Sequence, residues 1–132
     1  MYKAMLAKEI SVETPNTIGI AAKLTDVVAK QAKANIRSVW ASGTNGKGQF
    51  SLITDNNTKV IELLKKEYPK TQEHEVLVLG VNNAMGEIAD ITSQLSKASL
   101  NIEYMYTTWY DNKPAVVLST DDNKKACGLF NK

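Results

Sequence analysis

A chain of 132 residues that is 43% hydrophobic can bury a core as one compact unit or as two small halves sharing an interface. Its 16 basic and 14 acidic residues leave a formal net charge of +2, and their even spread provides no concentrated field for nucleic-acid backbones or anionic membranes. One cysteine excludes an intramolecular disulfide, no apolar run nears the roughly 20 residues of a bilayer span, and Lys3, Lys8 and Glu9 break up any secretory signal; the expectation is a soluble, cytoplasmic protein.

In chain order, Leu6, Ile10 and Val12 alternate with Ala7, Glu9, Ser11 and Glu13, a half-exposed strand. Asn16-Thr17-Ile18-Gly19 then opens a helix whose apolar face carries Ile20, Leu24, Val27 and Val28. After Asn35, two strands over Ile36 to Ser42 and Phe50 to Thr54 flank a loop, Gly43 to Gly48, in which Asn45-Gly46 favours positive φ. Asn57 is placed to cap a helix bearing Val60, Ile61, Leu64 and Tyr68, which Pro69 ends. Lys70 to Val81 joins the halves, its later part a nearly continuous apolar run that reads as a buried strand.

The same order then returns. Asn83-Ala84-Met85-Gly86 precedes a helix with Ile88, Ile91, Leu95 and Ala98; Ile102 to Tyr110 and Pro114 to Thr120 form a second hairpin; Asp121 or Asp122 caps a short helix with Ala126, Leu129 and Phe130. The Asn-x-x-Gly motifs lie 67 residues apart (83 − 16) and the Asn-Ile pairs Asn35-Ile36 and Asn101-Ile102 lie 66 apart (101 − 35). The pattern is a tandem β-α-β-β-α repeat, residues 1–70 and 71–132, with no residues left for a closing strand in the second. Strands and helices in this order give an α+β fold of the ferredoxin-like class, with antiparallel sheets and helices packed on one face.

Few residues offer chemistry. Gly43 to Gly48 lacks the spacer and the Ser or Thr after Lys47 that a phosphate loop needs. His74 stands alone between two glutamates, without the cluster a metal requires, and Asp121-Asp122 reads as a helix cap. Tyr104, Tyr106 and Tyr110 alternate along one strand face with Trp109 opposite; such rings can stack on RNA bases, but the charge balance and the missing signature motif of RNA-recognition domains disfavour this. The two Asn-x-x-Gly loops admit two readings: plain caps and turns, or small polar concavities where exposed helix N–H groups favour a carboxylate and the Asn carboxamide orients a ligand.

The stretch from Val76 to Thr120, above all Gly86-Glu87-Ile88-Ala89-Asp90-Ile91 and Asn101-Ile102-Glu103-Tyr104-Met105-Tyr106, resembles the second repeat of bacterial tandem ACT-domain proteins, and the first half resembles their first repeat more loosely. The resemblance implies a regulatory module without catalytic activity or cofactor, binding an amino acid or similar effector between paired repeats. Carried over by position, it implies ligand contacts from Asn16, Gly19 and Asn35 in one repeat and from Asn83, Gly86 and Asn101 in the other. The family commonly has Pro before the loop Gly, where this chain has Ile18 and Met85, and the first helix is about two residues longer than usual. A homodimer is expected from the missing last strand, and any regulated enzyme is a separate chain. A structural dimerisation module without ligand and an RNA-binding ferredoxin-like domain are the alternatives.

Overall fold

The computed structural model describes residues 2–131. Its elements are β1 (Lys3–Pro15), α1 (Ile20–Asp26) continuing as a π-helical turn (Val27–Gln31), β2 (Ile36–Thr44), β3 (Lys47–Thr54), α2 (Asn57–Glu67), β4 (Gln72–Gly80), α3 (Glu87–Lys97), β5 (Ile102–Tyr110), β6 (Lys113–Thr120) and α4 (Asn123–Phe130). The chain forms two compact units. The first runs from Lys8 to His74; the second combines the opening of the chain, ending at Ala7, with everything from Glu75 onward.

In the first unit the strand order is β2-β3-β1, with neighbours antiparallel. Alternation along the strands aims Ile10 and Val12 of β1 and Phe50 and Leu52 of β3 at one face, where Leu24, Val28, Val60 and Leu64 of the helices cover them; all eight are buried in one core. In the second unit β4-β6-β5 are likewise antiparallel. Leu77, Leu79, Val116 and Leu118 meet Ile91, Leu95, Ala126 and Phe130 in a core of the same design. The ferredoxin-like α+β arrangement expected from the sequence is present in both.

Both hairpins close through two-residue turns with left-handed residues, Asn45-Gly46 (φ 53° and 75°) and Asp111-Asn112 (φ 51° and 63°). That geometry matches the twist of the flanking strands, and Gly, Asn and Asp tolerate it best. The turns are therefore tighter than the loops read from the sequence, and β2 extends to Thr44.

Within the second unit, the place beside β4 where a closing strand belongs is taken by the chain's own first residues. Lys3 to Ala7 belong to this unit, β1 neighbours β4, and an added Cβ on Gly80 would lie 3.6 Å from Lys3. Tyr2, Ala4 and Leu6 pack on the Leu77–Leu118 core. Asn131 clamps the segment from the end of α4, its Oδ1 accepting from Ala4 N at 2.9 Å and its Nδ2 donating to Ala4 O at 2.7 Å. Tyr2 stacks edge-on against Phe130 and donates to Asp90 at 2.7 Å; that bond to a carboxylate pushes the phenol pKa up to about 12. One long strand thus serves two cores, Leu6 in the second unit and Ile10 and Val12 in the first.

The one-residue change between the 67 and 66 offsets has a local cause. Asn35 follows Gly19 by sixteen positions and Asn101 follows Gly86 by fifteen (35 − 19 and 101 − 86). The extra residue is absorbed in the π turn, where Ala32 N bonds Val27 O at 2.9 Å, five residues back. A π turn is how a helix accommodates an insertion without losing the register of its ends.

Capping departs from the sequence reading by one residue. Asn56, not Asn57, caps α2, accepting from Lys59 N at 3.2 Å. Asn57 instead accepts from Thr54 N and Oγ1 at 3.1 and 2.7 Å and donates to Lys8 O at 2.9 Å. Asn123 repeats this in the second unit, accepting from Thr120 N and Oγ1 at 2.8 and 2.9 Å and donating to Glu75 O at 3.0 Å, while Asp122 caps α4 through Lys125 N. Each helix start is thereby tied to the strand it follows and to the strand next to it.

Candidate functional site

The second unit opens a cavity of about 240 Å³ at one end of its sheet. Asn83, Ala84, Glu87 and Ile88 form one wall, Thr107, Thr108 and Trp109 of β5 another, and Val81 with Pro114 to Val116 the floor. This volume is below that of sites for drug-sized ligands and suits a small metabolite.

The loop wall is built by three backbone choices. Val81 N continues the sheet one residue past β4 by bonding Pro114 O at 3.1 Å. Asn83 turns the chain at φ 56°, a left-handed conformation that Asn tolerates. Gly86, at φ 85°, then swings the chain into α3, a geometry in which a side chain would be strained.

Glu87, in the first turn of α3, folds its carboxylate back onto the loop. It accepts from Asn82 N at 3.1 and 3.2 Å and from Ala84 N at 2.6 Å. The macrodipole of an 11-residue helix favours that charge at its N-terminus. The sequence suggested that free loop N–H groups would attract a ligand carboxylate; two of them are instead held by the protein's own. Glu87 is a cavity residue that the sequence did not mark, and Trp109, whose ring the sequence offered only for stacking on bases, lines the cavity as well. No capping-box pattern marks Glu87, because Gly86 is the N-cap and Glu87 the first helical residue.

The first unit treats the corresponding positions differently. Gly43 and Gly48 stand 66 residues before Trp109 and Pro114 (109 − 43 and 114 − 48). The Asn16 side chain lies so close over Gly43 that a Cβ there would be 2.6 Å from its Oδ1, and Thr14 Oγ1 would be 2.5 Å from a Cβ on Gly48. Asn16 N also bonds Gly46 O at 3.0 Å. Where the second unit has Asn82 and Glu87, the first has Pro15, which has no N–H, and Ile20. Gly19 keeps the φ of 85° seen at Gly86, but it opens a helix of only seven α residues. A separate groove of about 390 Å³ lies beside it, lined by Thr17, Ile18, Ile20, Lys23, Glu67 and Tyr68. Glu67, bonded to Lys23, raises the pKa of that amine, and the buried Tyr68 hydroxyl has no hydrogen-bond partner among the described residues.

The remaining expected site residues fall elsewhere. Asn101 N bonds Asp121 Oδ1 and its carbonyl accepts from Asp121 N, both at 3.1 Å; Asn35 and Asp55 make the same pair at 2.8 and 3.1 Å. These clasps sit at the start of β5 and β2. Thr107 is six residues further on, roughly 20 Å of extended strand, so a single unit does not bring Asn101 to the cavity that holds Asn83. The left-handed residues at the helix-to-strand turns are Lys33 and Ser99, two positions before each Asn. Along β5, Tyr110 is buried, Tyr104 and Tyr106 are half-buried, and Trp109 is 65% exposed.

These features define a pair of βαββα units with a loop-and-strand cavity in the second. The profile of the ACT domain pair family matches residues 5–130, and the chain belongs to that family. In structure it is similar to a Bacteroides thetaiotaomicron protein at 25% identity and a TM-score of 0.84, covering 96% of this chain and 88% of that one. It is also similar to aspartokinase alpha and beta subunits (17% identity, TM-score 0.66, 96% and 93% covered). The ligand-free regulatory subunit of aspartate kinase from Thermus thermophilus has the same fold (14% identity, TM-score 0.65, 96% and 93% covered). The comparison with curated proteins gives no match. Among the described residues no helix is long and apolar enough to cross a membrane.

Proposed function

We propose that this chain is a non-catalytic regulatory module that binds a small effector, an amino acid, through its second repeat. The observation that carries the reading is the asymmetry of the two loops. In the second unit the space between the Asn83 loop and Trp109 is an open cavity of metabolite size; in the first, Asn16 lies against Gly43 at the matching place. Membership of the ACT domain pair family and a fold shared with an aspartate kinase regulatory subunit support a regulatory role. In this reading Asn83 and Gly86 shape the ligand contacts, Asn101 fixes the strand that carries Trp109, and Asn16, Gly19 and Asn35 keep the matching loop and hairpin of the first repeat in place. The regulated enzyme is a separate polypeptide in the cytoplasm.

A thermal-shift screen against the twenty common amino acids tests this, because binding to the folded state raises the midpoint by mass action. At least one amino acid at millimolar concentration should raise it by a few degrees, and Asn83→Ala or Trp109→Ala should weaken that ligand about tenfold, the loss of one good polar or aromatic contact. A flat response across the screen rejects the assignment.

The module is also proposed to work as a homodimer. β5 is the last strand in the order of the second unit and carries exposed Met105 and Trp109, so a second copy that adds along it would cover the cavity. Light scattering should then return the mass of two chains at micromolar concentration; the mass of one chain, with or without ligand, removes this part of the proposal.

A further inference from the structure

Glu87 sets which end of the ligand enters the cavity, and we infer that the site selects a primary ammonium group and rejects a ligand presented carboxylate-first. This deepens the proposed function and rests on its placement of the site. Three observations carry it.

The loop donors that would greet an anion are already engaged. Asn82 N and Ala84 N both point at the Glu87 carboxylate, with three contacts between 2.6 and 3.2 Å. An incoming carboxylate would have to displace that group or lie against it, and like charges at contact distance repel.

The second observation is the charge of the wall. Among the lining residues Glu87 is the ionisable one, and no lysine, arginine or histidine lines the cavity to offset it. Held in place by two backbone bonds, its carboxylate has lone pairs to spare for a further donor, and an ammonium brings three donors and the matching charge.

Third, the opposite wall is suited to a cation. Trp109 lines it and is 65% exposed, and the face of tryptophan is the best aromatic partner for an ammonium. Thr107, Thr108 and Asn83 add polar residues to the lining, while Ile88 and Val116 offer apolar surface to a carbon skeleton. The first unit has Ile20 and Gly43 at the positions of Glu87 and Trp109, so both cation-directed groups belong to the second repeat alone.

The test is calorimetric titration of the full chain with three series of probes: the free L-amino acids, their carboxamides, which keep the ammonium and lose the carboxylate, and their N-acetyl derivatives, which do the reverse. For any side chain that binds, the carboxamide should bind at least as tightly as the free amino acid and the N-acetyl form about tenfold more weakly or not at all, the scale of one lost charged hydrogen bond. Glu87→Gln keeps a carbonyl oxygen for the loop N–H groups and removes the charge; it should weaken the carboxamide about tenfold while the thermal midpoint without ligand stays near that of the parent. An N-acetyl derivative that retains affinity while its carboxamide loses it overturns the inference and leaves amino-acid binding intact. Unchanged carboxamide affinity in Glu87→Gln overturns it too. Carboxamides that bind where no free amino acid does would support the ammonium preference and reject the amino-acid effector, and silence in all three series rejects both.

Discussion

A chain shortened to begin at Lys8 is expected to lose the cooperative fold of its second unit. The seven residues removed hold no predicted site and no helix, and a reading by motif would call them dispensable. In the structure they provide Tyr2, Ala4 and Leu6 to the core built on Leu77 and Leu118, two hydrogen bonds to Asn131, one to Asp90, and the ring contact with Phe130. Partial burial of two large side chains is worth about 1–2 kcal/mol each, and the three hydrogen bonds, all exposed, add less than about 1 kcal/mol apiece. The sum is on the order of 5 kcal/mol, comparable with the whole stability of a small domain. The deletion also strips the neighbour from one edge of β4, whose Val76 to Leu79 are buried on both faces, and an apolar edge of that kind aggregates. Hydrogen exchange gives the local readout: amides of β4, β6 and α4 should lose protection in the shortened chain. Full protection there would show that the opening segment is ornamental.

Leu118→Ala and Leu52→Ala are expected to cost about 2–5 kcal/mol each, the range for a large aliphatic side chain removed from a packed core. The two leucines sit 66 residues apart (118 − 52), at the same place in β6 and β3, and each is fully buried in the core of its own unit. Each belongs to a core that two helices help to build: Leu118 shares its core with Ile91, Leu95 and Phe130, Leu52 with Leu24, Val28 and Leu64. Helices that must also hold a loop or a strand in position have little freedom to collapse into the space left, and the upper half of the range is expected. Urea melts should show a lower midpoint with an unchanged slope. A loss under about 1 kcal/mol at either site would mean that the cavity is refilled by movement of the helices.

The stability of this protein and its proposed activity draw on different residues. Leu52 and Leu118 have equivalent surroundings in the two repeats, as do the Asn57 and Asn123 ties and the Asp55 and Asp121 clasps. The loops do not. Glu87 and Trp109 in the second unit line a cavity, whereas in the first Gly43, at the position of Trp109, leaves room for Asn16 to lie across the hairpin, and Ile20 lines a separate groove. The framework is the same in both repeats, and the loops differ.

By itself the sequence determined the repeat, the class of fold and most of the core. These rest on local and periodic properties: alternation in β1 and β3, helical spacing of Ile91 and Leu95, and turn residues such as Asn45-Gly46, whose conformational preferences act within a few positions. It also determined that Asn83 and Gly86 would shape a loop, because left-handed backbone is costly for other residue types. Only the tertiary structure decided what those loops present. The bond from Ala84 N to Glu87 depends on how the chain turns at Gly86, the approach of Asn16 to Gly43 on how a hairpin lies over a loop 27 residues away (43 − 16), and the distance from Asn83 to Asn101 on the length of β5. The strand that the second repeat lacks in sequence was likewise invisible from Glu75 onward, since the residues that lie beside β4 are at the other end of the chain. Propensity and periodicity act between near neighbours, whereas strand partnership is decided by which distant segment can satisfy an edge and cover a core.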